Sequence, residues 1–277
     1  MRTAEWIQIG FAALLAAAAW LQALSRHPLP ARRRWKITLL ALAPITAVTL
    51  VRSTASVLPA PYVLAIREWL TAALLLVPYW QTGEFFQGPN LRIQERLMAS
   101  DQLLLPRVAA SDGTSRTGLG LSLELAYLFC YPLVPLGLLA LYAGGRRQCV
   151  AGFWLVVLVS TYLCYAVTPF VPAYPPRVLV AAPAASARPA GRVRLLNRWV
   201  LQHGSIHAIS FPSAHVASTL AVSLALLKCM PVAGVVFLLV SLWIAIGAVV
   251  GRYHYALDVL LGALVSLAVF AALYRFF

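Results

Sequence analysis

Two histidines and an aspartate near the end of this chain stand at the mouths of long apolar stretches. His215 closes Phe211-Pro212-Ser213-Ala214-His215 as one stretch begins, and His254 opens His254-Tyr255-Ala256-Leu257-Asp258 as another begins. Ionisable groups at the ends of such segments are costly and usually functional. His254 and Asp258 are four positions apart. On a helix they share a face, so the carboxylate can hold the imidazole tautomer and stabilise its positive charge. Arg177, in Tyr174-Pro175-Pro176-Arg177, ends a third apolar run. An arginine, a helix start and two histidines are the parts needed to hold a phosphate and attack it. In that chemistry His254 attacks phosphorus and forms a phosphohistidine. His215 protonates the leaving oxygen and then activates the incoming water or alcohol. Arg177, the Ser213 hydroxyl and the free N–H groups of the helix start stabilise the equatorial oxygens. Pro212 suits the helix start, because its missing N–H costs nothing there.

Each motif alone is weak. A His-Asp pair four apart is as often a solvated cap, and a Pro-Ser-Ala-His run is a turn into a helix. Their value lies in occurring together, in order, each beside an apolar segment.

The elements that must position them are membrane helices. The chain is 61% hydrophobic and 11% charged, the composition of a polytopic membrane protein. Eight apolar segments lie at about 5–24, 37–58, 62–80, 119–142, 150–171, 212–230, 232–250 and 255–275, each near the ~20 residues that a bilayer crossing needs. Residues 6–24 are too long for a signal-peptide core and are expected to stay as the first helix. The site then falls between the fifth, sixth and seventh segments at one membrane face.

Three connections are more than turns. The first carries Arg32-Arg33-Arg34 and reads as a headgroup-contacting loop. The second, 81–118, contains Leu91-to-Leu105, whose mixed charge predicts a short interfacial helix, either a roof for the site or a plain connector. The third, 172–211, has a low-complexity middle at Ala181-to-Gly191. Arg188, Arg192, Arg194 and Arg198 follow, mostly solvated or lipid-facing, with one or two able to attract substrate.

No two acidic residues sit at a metal-binding spacing, so neither a metal nor another cofactor is expected. Cys130, Cys149, Cys164 and Cys229 form no CxxC pair and imply neither a zinc site nor a disulfide framework. The net charge of +14 flanks apolar segments and suits anionic headgroups or an anionic substrate, not nucleic acid. Gly247 and Gly251 read as a close-packing pair, and adjacent Arg67-Glu68 as a buried structural ion pair. His27, His203 and His207 have no partner in the sequence, His207 being a distant site candidate. Oligomeric state is not legible.

Sidedness divides the signals. Eight crossings put Arg32–Arg34, Arg92, Arg96, Arg107, Arg116 and Arg177 on one side, and the positive-inside rule makes that side cytoplasmic. If 37–80 crosses only once, given Arg52 and Arg67-Glu68 within it, the basic loop is cytoplasmic and the site lies outside.

From about residue 120 to the end, the chain resembles the PAP2 superfamily of membrane phosphatases and phosphotransferases, closest to the branch of inositol phosphorylceramide and sphingomyelin synthases. Arg177 corresponds to the arginine of the family's first motif, whose lysine would fall at Phe170. Pro212-Ser213-Ala214-His215 matches the second, with Ala214 for glycine. His254 and Asp258 match the third, whose arginine would fall at Ala248. Arg252 is a candidate substitute for that arginine in gripping phosphate.

The resemblance implies an all-α, polytopic helical bundle. It has a six-helix core at 62–277 and about two additional N-terminal segments within 1–61. It also implies a metal-independent lipid phosphate or pyrophosphate phosphatase, with a phospholipid headgroup transferase as the alternative. Membrane lipids and a lipid phosphate or phospholipid substrate are the expected partners. The expected location is a bacterial cytoplasmic membrane with the site on the extracytoplasmic side. A transporter or scaffold using Arg52, Arg67, Glu68 and Glu124 as a polar pathway is a different class; the absence of internal repeats counts against a transporter.

Overall fold

A computed structural model describes residues 2–25, 28–111, 118–179 and 191–277. His27, Arg116, Arg188 and the low-complexity stretch other than Gly191 lie outside the described residues. The described chain is helical: α1 Thr3–Leu21, α2 Ala31–Ser53, α3 Ala60–Leu74, α4 Leu76–Gly83, α5 Leu91–Leu104, α6 Pro106–Ala109, α7 Gly118–Leu128, α8 Leu133–Ala143, α9 Val150–Val167, α10 Pro176–Leu179, α11 Arg192–Gly204, α12 Ala214–Cys229, α13 Pro231–Val250 and α14 Ala256–Leu273. The protein is an integral membrane protein. Among the described residues six helical stretches are long and apolar enough to cross a bilayer: Thr3–Leu24, Ala31–Ser53, Ala60–Gly83, Arg147–Phe170, Pro231–Val250 and Ala256–Phe276.

Two predicted segments depart from plain crossings. Segment 119–142 breaks into α7 and α8, bent by 74° at residues 129–132. Pro132 accounts for the break, since the residue before proline is pushed out of helical geometry. Segment 212–230 is the 16-residue α12, too short for a full crossing and buried along most of its length. Segments 37–58 and 62–80 fold as separate helices, each long enough to cross. The predicted interfacial helix is α5, whose start is capped by Asn90 accepting from Arg92 N at 3.1 Å and Ile93 N at 3.3 Å.

The core lies between α9 and α12, where Phe153, Trp154, Leu158, Val222 and Leu226 are buried with Leu138 of α8. Lipid tails are as apolar as these side chains, so close packing and buried polar bonds hold membrane helices together. Gly247 shows the packing. A Cβ there would lie 2.5 Å from the Leu123 carbonyl oxygen, so only glycine lets α13 meet α7. Ser223 and Ser241 join α12 to α13 at 2.8 Å. Glu124 of α7 accepts from Arg194 and, at 2.7 Å, from Asn197, fastening the amphipathic α11 over the bundle.

Two expectations are corrected here. Arg67 and Glu68 do not pair with each other: Arg67 binds Glu5 through two nitrogens, at 2.6 and 2.7 Å, while Glu68 takes Arg2, Tyr142 and Arg147. Neighbours in a helix diverge by about 100°, so each charge finds a partner on a different helix. The cysteines also include a disulfide, Cys149–Cys229, tying the start of α9 to the end of α12. Cys130 and Cys164 are free and buried.

The bundle therefore has two distinct ends. At one end lie the disulfide, Gly152 packed on Phe276 and Phe277, and Lys228 bonded to Tyr274. At the other, Arg33 donates to the Glu84 and Phe86 carbonyls, Asn90 N to Pro172 O, and Ile209 N to Ala173 O. These bonds tie together the loops at the end where α12 and α14 start.

Candidate active site

His254 sits in the short loop between α13 and α14. Its N–H and that of Tyr253 both donate to the Ala248 carbonyl at 2.9 Å. Ala248 is fully buried, so the position where the sequence lacks an arginine serves as an anchor for the loop. Arg252 adopts the left-handed backbone, φ 61°, and this turns the chain sharply enough for His254 to point back into the bundle. His254 Nδ1 lies 3.1 Å from Asp258 Oδ2. The same oxygen accepts Tyr255 N at 3.3 Å, so Asp258 caps α14 while orienting the imidazole. With Nδ1 engaged, Nε2 carries the lone pair. Burial and the neighbouring Arg177 charge push this imidazole down to about 3, which keeps it neutral and nucleophilic.

Ser213 N donates to the Asp258 carbonyl at 2.9 Å, bringing the start of α12 against the start of α14. That contact needs Gly262, where a Cβ would stand 2.5 Å from the Ser213 carbonyl oxygen. It sets the His215 and His254 rings 5.4 Å apart, centroid to centroid. His215 also packs on Tyr127 and Tyr131 at 6.0 and 5.8 Å. Its Nδ1 is buried and has no hydrogen-bond partner among the described residues, so a ring nitrogen is open to a bound oxygen.

Arg177 completes the group. Its N–H donates to the Arg252 carbonyl at 2.8 Å, and Nη1 to the Tyr253 carbonyl at 3.4 Å. It lines the cavity shared by His215 and His254. Four of the expected site residues are thus brought together: Arg177, His215, His254 and Asp258.

The other two are engaged elsewhere. Ser213 is fully buried and its hydroxyl accepts Val216 N at 3.4 Å, capping α12. Ala214 N likewise donates to Ser210 Oγ at 3.4 Å, so hydroxyls of the chain already take two of the N–H groups expected to meet phosphate. Pro212 precedes the cap instead of occupying the first helical position. Arg252 donates to Asp101 Oδ2 at 3.0 Å. Asp101 Oδ1 accepts Ala256 N at 2.8 Å, and α5 therefore grips the loop on both sides of His254. The ion pair commits the Arg252 guanidinium to the scaffold.

Asp101, Tyr127 and Tyr253 escape sequence reading, and Glu124, read there only as part of a polar pathway, instead holds Arg194, Asn197 and Tyr253. Tyr127 and Tyr253 stack at 3.8 Å with an interplanar angle of 5° and wall the site. Asp101 carries a signal in hindsight, being an acid beside an apolar segment that needs a cationic partner. Two cavities meet at Arg177. The inner one, about 20 Å³, is lined by both histidines, Tyr79, Tyr127 and Ser210 and holds about one water. The outer one, about 500 Å³, is lined by Tyr174, Arg177, Arg194, Arg198, Gln202, His207 and Tyr253, among others. Among the described residues no cluster of His, Cys, Asp and Glu could hold a metal ion.

The family model of the PAP2 superfamily matches residues 97–272, from within α5 to within α14. No curated protein and no solved structure matches the chain.

Proposed function

Because this chain belongs to the PAP2 superfamily, whose members are generally phosphatases or phosphotransferases, we propose that it removes phosphate from a lipid phosphate or lipid pyrophosphate. The observation that carries this is the Asp258-held His254 beside His215 and Arg177. His254 Nε2 attacks phosphorus; as the N–P bond forms, the P–O bond to the lipid breaks. His215 gives that oxygen a proton. Neutral His215 then takes a proton from water, whose oxygen displaces His254 and releases phosphate. Arg177 offsets the charge on the equatorial oxygens. The set needs no metal to make a nucleophile, so activity in purified protein should survive EDTA. Loss on chelation, restored by added Mg, Mn or Zn, refutes this.

The resemblance to inositol phosphorylceramide and sphingomyelin synthases read from the sequence motivates a second proposal for the same half-reaction. A lipid alcohol, not water, would then meet the phosphohistidine, and the outer cavity beside Arg177 is large enough for a transferred headgroup. Labelled phosphatidate, a polyprenyl diphosphate and phosphatidylinositol, each with and without ceramide or diacylglycerol, separate the two. Free phosphate supports hydrolysis, and a new phospholipid formed only with acceptor supports transfer. In keeping with the core and addition expected from sequence, we assign 62–277 to the catalytic unit and 1–61 to the additional helices.

We further propose a bacterial cytoplasmic membrane with the site on its cytoplasmic face, which revises the expectation of an outward site. That expectation needed 37–80 to cross once, and this stretch forms two helices. Disulfides persist in oxidising compartments, and Cys149–Cys229 lies at the end opposite the histidines. The histidine end carries Arg32–Arg34, Lys36, Arg92, Arg96, Arg192 and Arg198, as the positive-inside rule expects of the cytoplasm. In intact cells an impermeant thiol reagent should label Val57→Cys, at the disulfide end, and spare Gln87→Cys until lysis. The reverse pattern refutes this orientation.

A further inference from the structure

Arg177 sits on a segment with little regular structure of its own. Residues 172–175 form neither helix nor strand, and the α10 that follows is four residues long. Where the segment lies therefore depends on where its backbone groups find partners. Pro172 O accepts Asn90 N at 2.8 Å, Ala173 O accepts Ile209 N at 2.9 Å, and Arg177 N donates to Arg252 O at 2.8 Å. Tyr174 is held by side chains instead. Its N–H donates to Gln94 Oε1 at 2.7 Å, and its carbonyl accepts the Tyr255 hydroxyl at 3.0 Å. Gln94 Nε2 donates to that same Tyr255 oxygen, which closes a ring of three bonds. The Tyr174 N–H fixes the orientation of the amide, since a flipped amide would set two donors face to face. The two contacts need an acceptor and a donor side by side, which a carboxylate or an alkyl group lacks.

Gln94 and Tyr255 are both buried. On α5, Gln94 stands about two turns before Asp101, so the two share a face. One helix thus grips the Arg177 segment through Gln94 and the His254 loop through Asp101. We propose that Gln94 is a positioning residue: with the Tyr255 hydroxyl, it sets where the Arg177 guanidinium stands beside His254. It touches no reacting atom and acts through Tyr174 and the backbone that leads to Arg177. A misplacement of about 1 Å in such a group can cost about a hundredfold in rate. This rests on the phosphoryl-transfer reading of Arg177, but the contact of Arg177 with an anion can be measured without turnover. Arg177 lines the outer cavity as well as the inner one, so free phosphate can reach it without entering the space between the histidines.

The test is calorimetric titration of the purified protein with inorganic phosphate, in a cycle of Gln94→Leu and Arg177→Ala. Gln94→Leu should weaken phosphate at least about fivefold in the otherwise unaltered protein and less than about twofold beside Arg177→Ala, because residues that act as one unit are not additive. Gln94→Glu keeps the acceptor and loses the donor, and Tyr255→Phe keeps the ring and loses the hydroxyl; both should fall between parent and Gln94→Leu. Gln102→Leu, exposed on α5, should match the parent. If thermal melting shows that Gln94→Leu does not fold, Gln94→Glu and Tyr255→Phe carry the same cycle. Equal losses with and without Arg177, or no loss, overturn the proposal, as does an unaltered protein that binds no phosphate. Turnover of phosphatidate and a polyprenyl diphosphate tests the reaction separately. Hydrolysis with an additive cycle keeps the reaction and removes the positioning role; a coupled cycle without hydrolysis of either lipid keeps the positioning role and removes the reaction.

Discussion

At the residue scale, the two arginines of the site separate by what each one touches. Arg177 lines the cavity of the histidines, whereas Arg252 is paired with buried Asp101. Removing one partner of a buried pair leaves an uncompensated charge, at about 3–5 kcal/mol. Arg252→Ala should therefore lower the melting temperature markedly, and adding Asp101→Asn should recover part of the loss. Arg177→Ala should melt near the parent yet lose activity almost as fully as His254→Ala. A stable but inactive Arg252 variant beside an active Arg177 variant reverses these roles. The histidines should fail differently too. His254→Ala should abolish the phosphoenzyme; His215→Ala should slow turnover less for p-nitrophenyl phosphate, whose leaving group needs little protonation. Equal losses on good and poor leaving groups contradict that division. Acid stability gives a further test. His254 is held down to about 3 against an ordinary 6.5, so between those values the unfolded chain binds the extra proton. Stability is then greatest above pH 6.5 and falls as pH drops through that window. Melting curves of His254→Gln should show a shallower acid decline, and an unchanged slope would be inconsistent with a neutral buried imidazole.

At the element scale, much was legible where a pattern had a physical consequence within one segment. The eight apolar runs, the mixed charge of α5 and the pairing of His254 with Asp258 all follow from local chemistry, although His254 meets Asp258 from the loop before α14 and not across a shared helix face. What escaped needed a partner elsewhere. Asp101 and Arg252 are 151 positions apart, and Glu124 and Arg194 are 70 apart; no window on the sequence joins them. The bend at 129–132 was readable from Pro132, but an apolar run on both sides hid it. The disulfide had a signal as well. Cys149 begins the fifth segment and Cys229 ends the sixth, so counting crossings puts them at one membrane face. Closing a loop of 80 positions is worth about 4–5 kcal/mol in the chain-entropy model. Cys149→Ser with Cys229→Ser should accordingly lose thermal stability while keeping activity, because the bond lies at the far end from the histidines. Loss of activity without loss of stability would mean that the two ends communicate. Gly262→Leu should do the opposite of a surface change and inactivate the protein, by forcing α14 away from Ser213; an active, well-folded variant would show that this helix contact does not set the histidine spacing.

At the scale of the whole molecule, the helices differ in what they meet. α1, α2 and α13 present broad exposed apolar faces, with Leu14, Leu39, Leu42, Val235 and Leu239 outward, whereas α12 is enclosed by its neighbours. Its 16 residues rise about 24 Å at ~1.5 Å per residue, against a hydrocarbon layer of about 30 Å. If Cys229 lies at one boundary, His215, 14 positions and about 21 Å away along the helix, stops about 9 Å short of the other. The reacting phosphorus would then sit beneath the plane of the surrounding headgroups, at the depth where acyl esters lie. A nitroxide attached at His215→Cys should be reached less readily by a water-soluble nickel chelate than one at Gln87→Cys; equal access would put the site at the surface. On this geometry the lipid need not be lifted out of its leaflet, and the protein has to carry water downward to it.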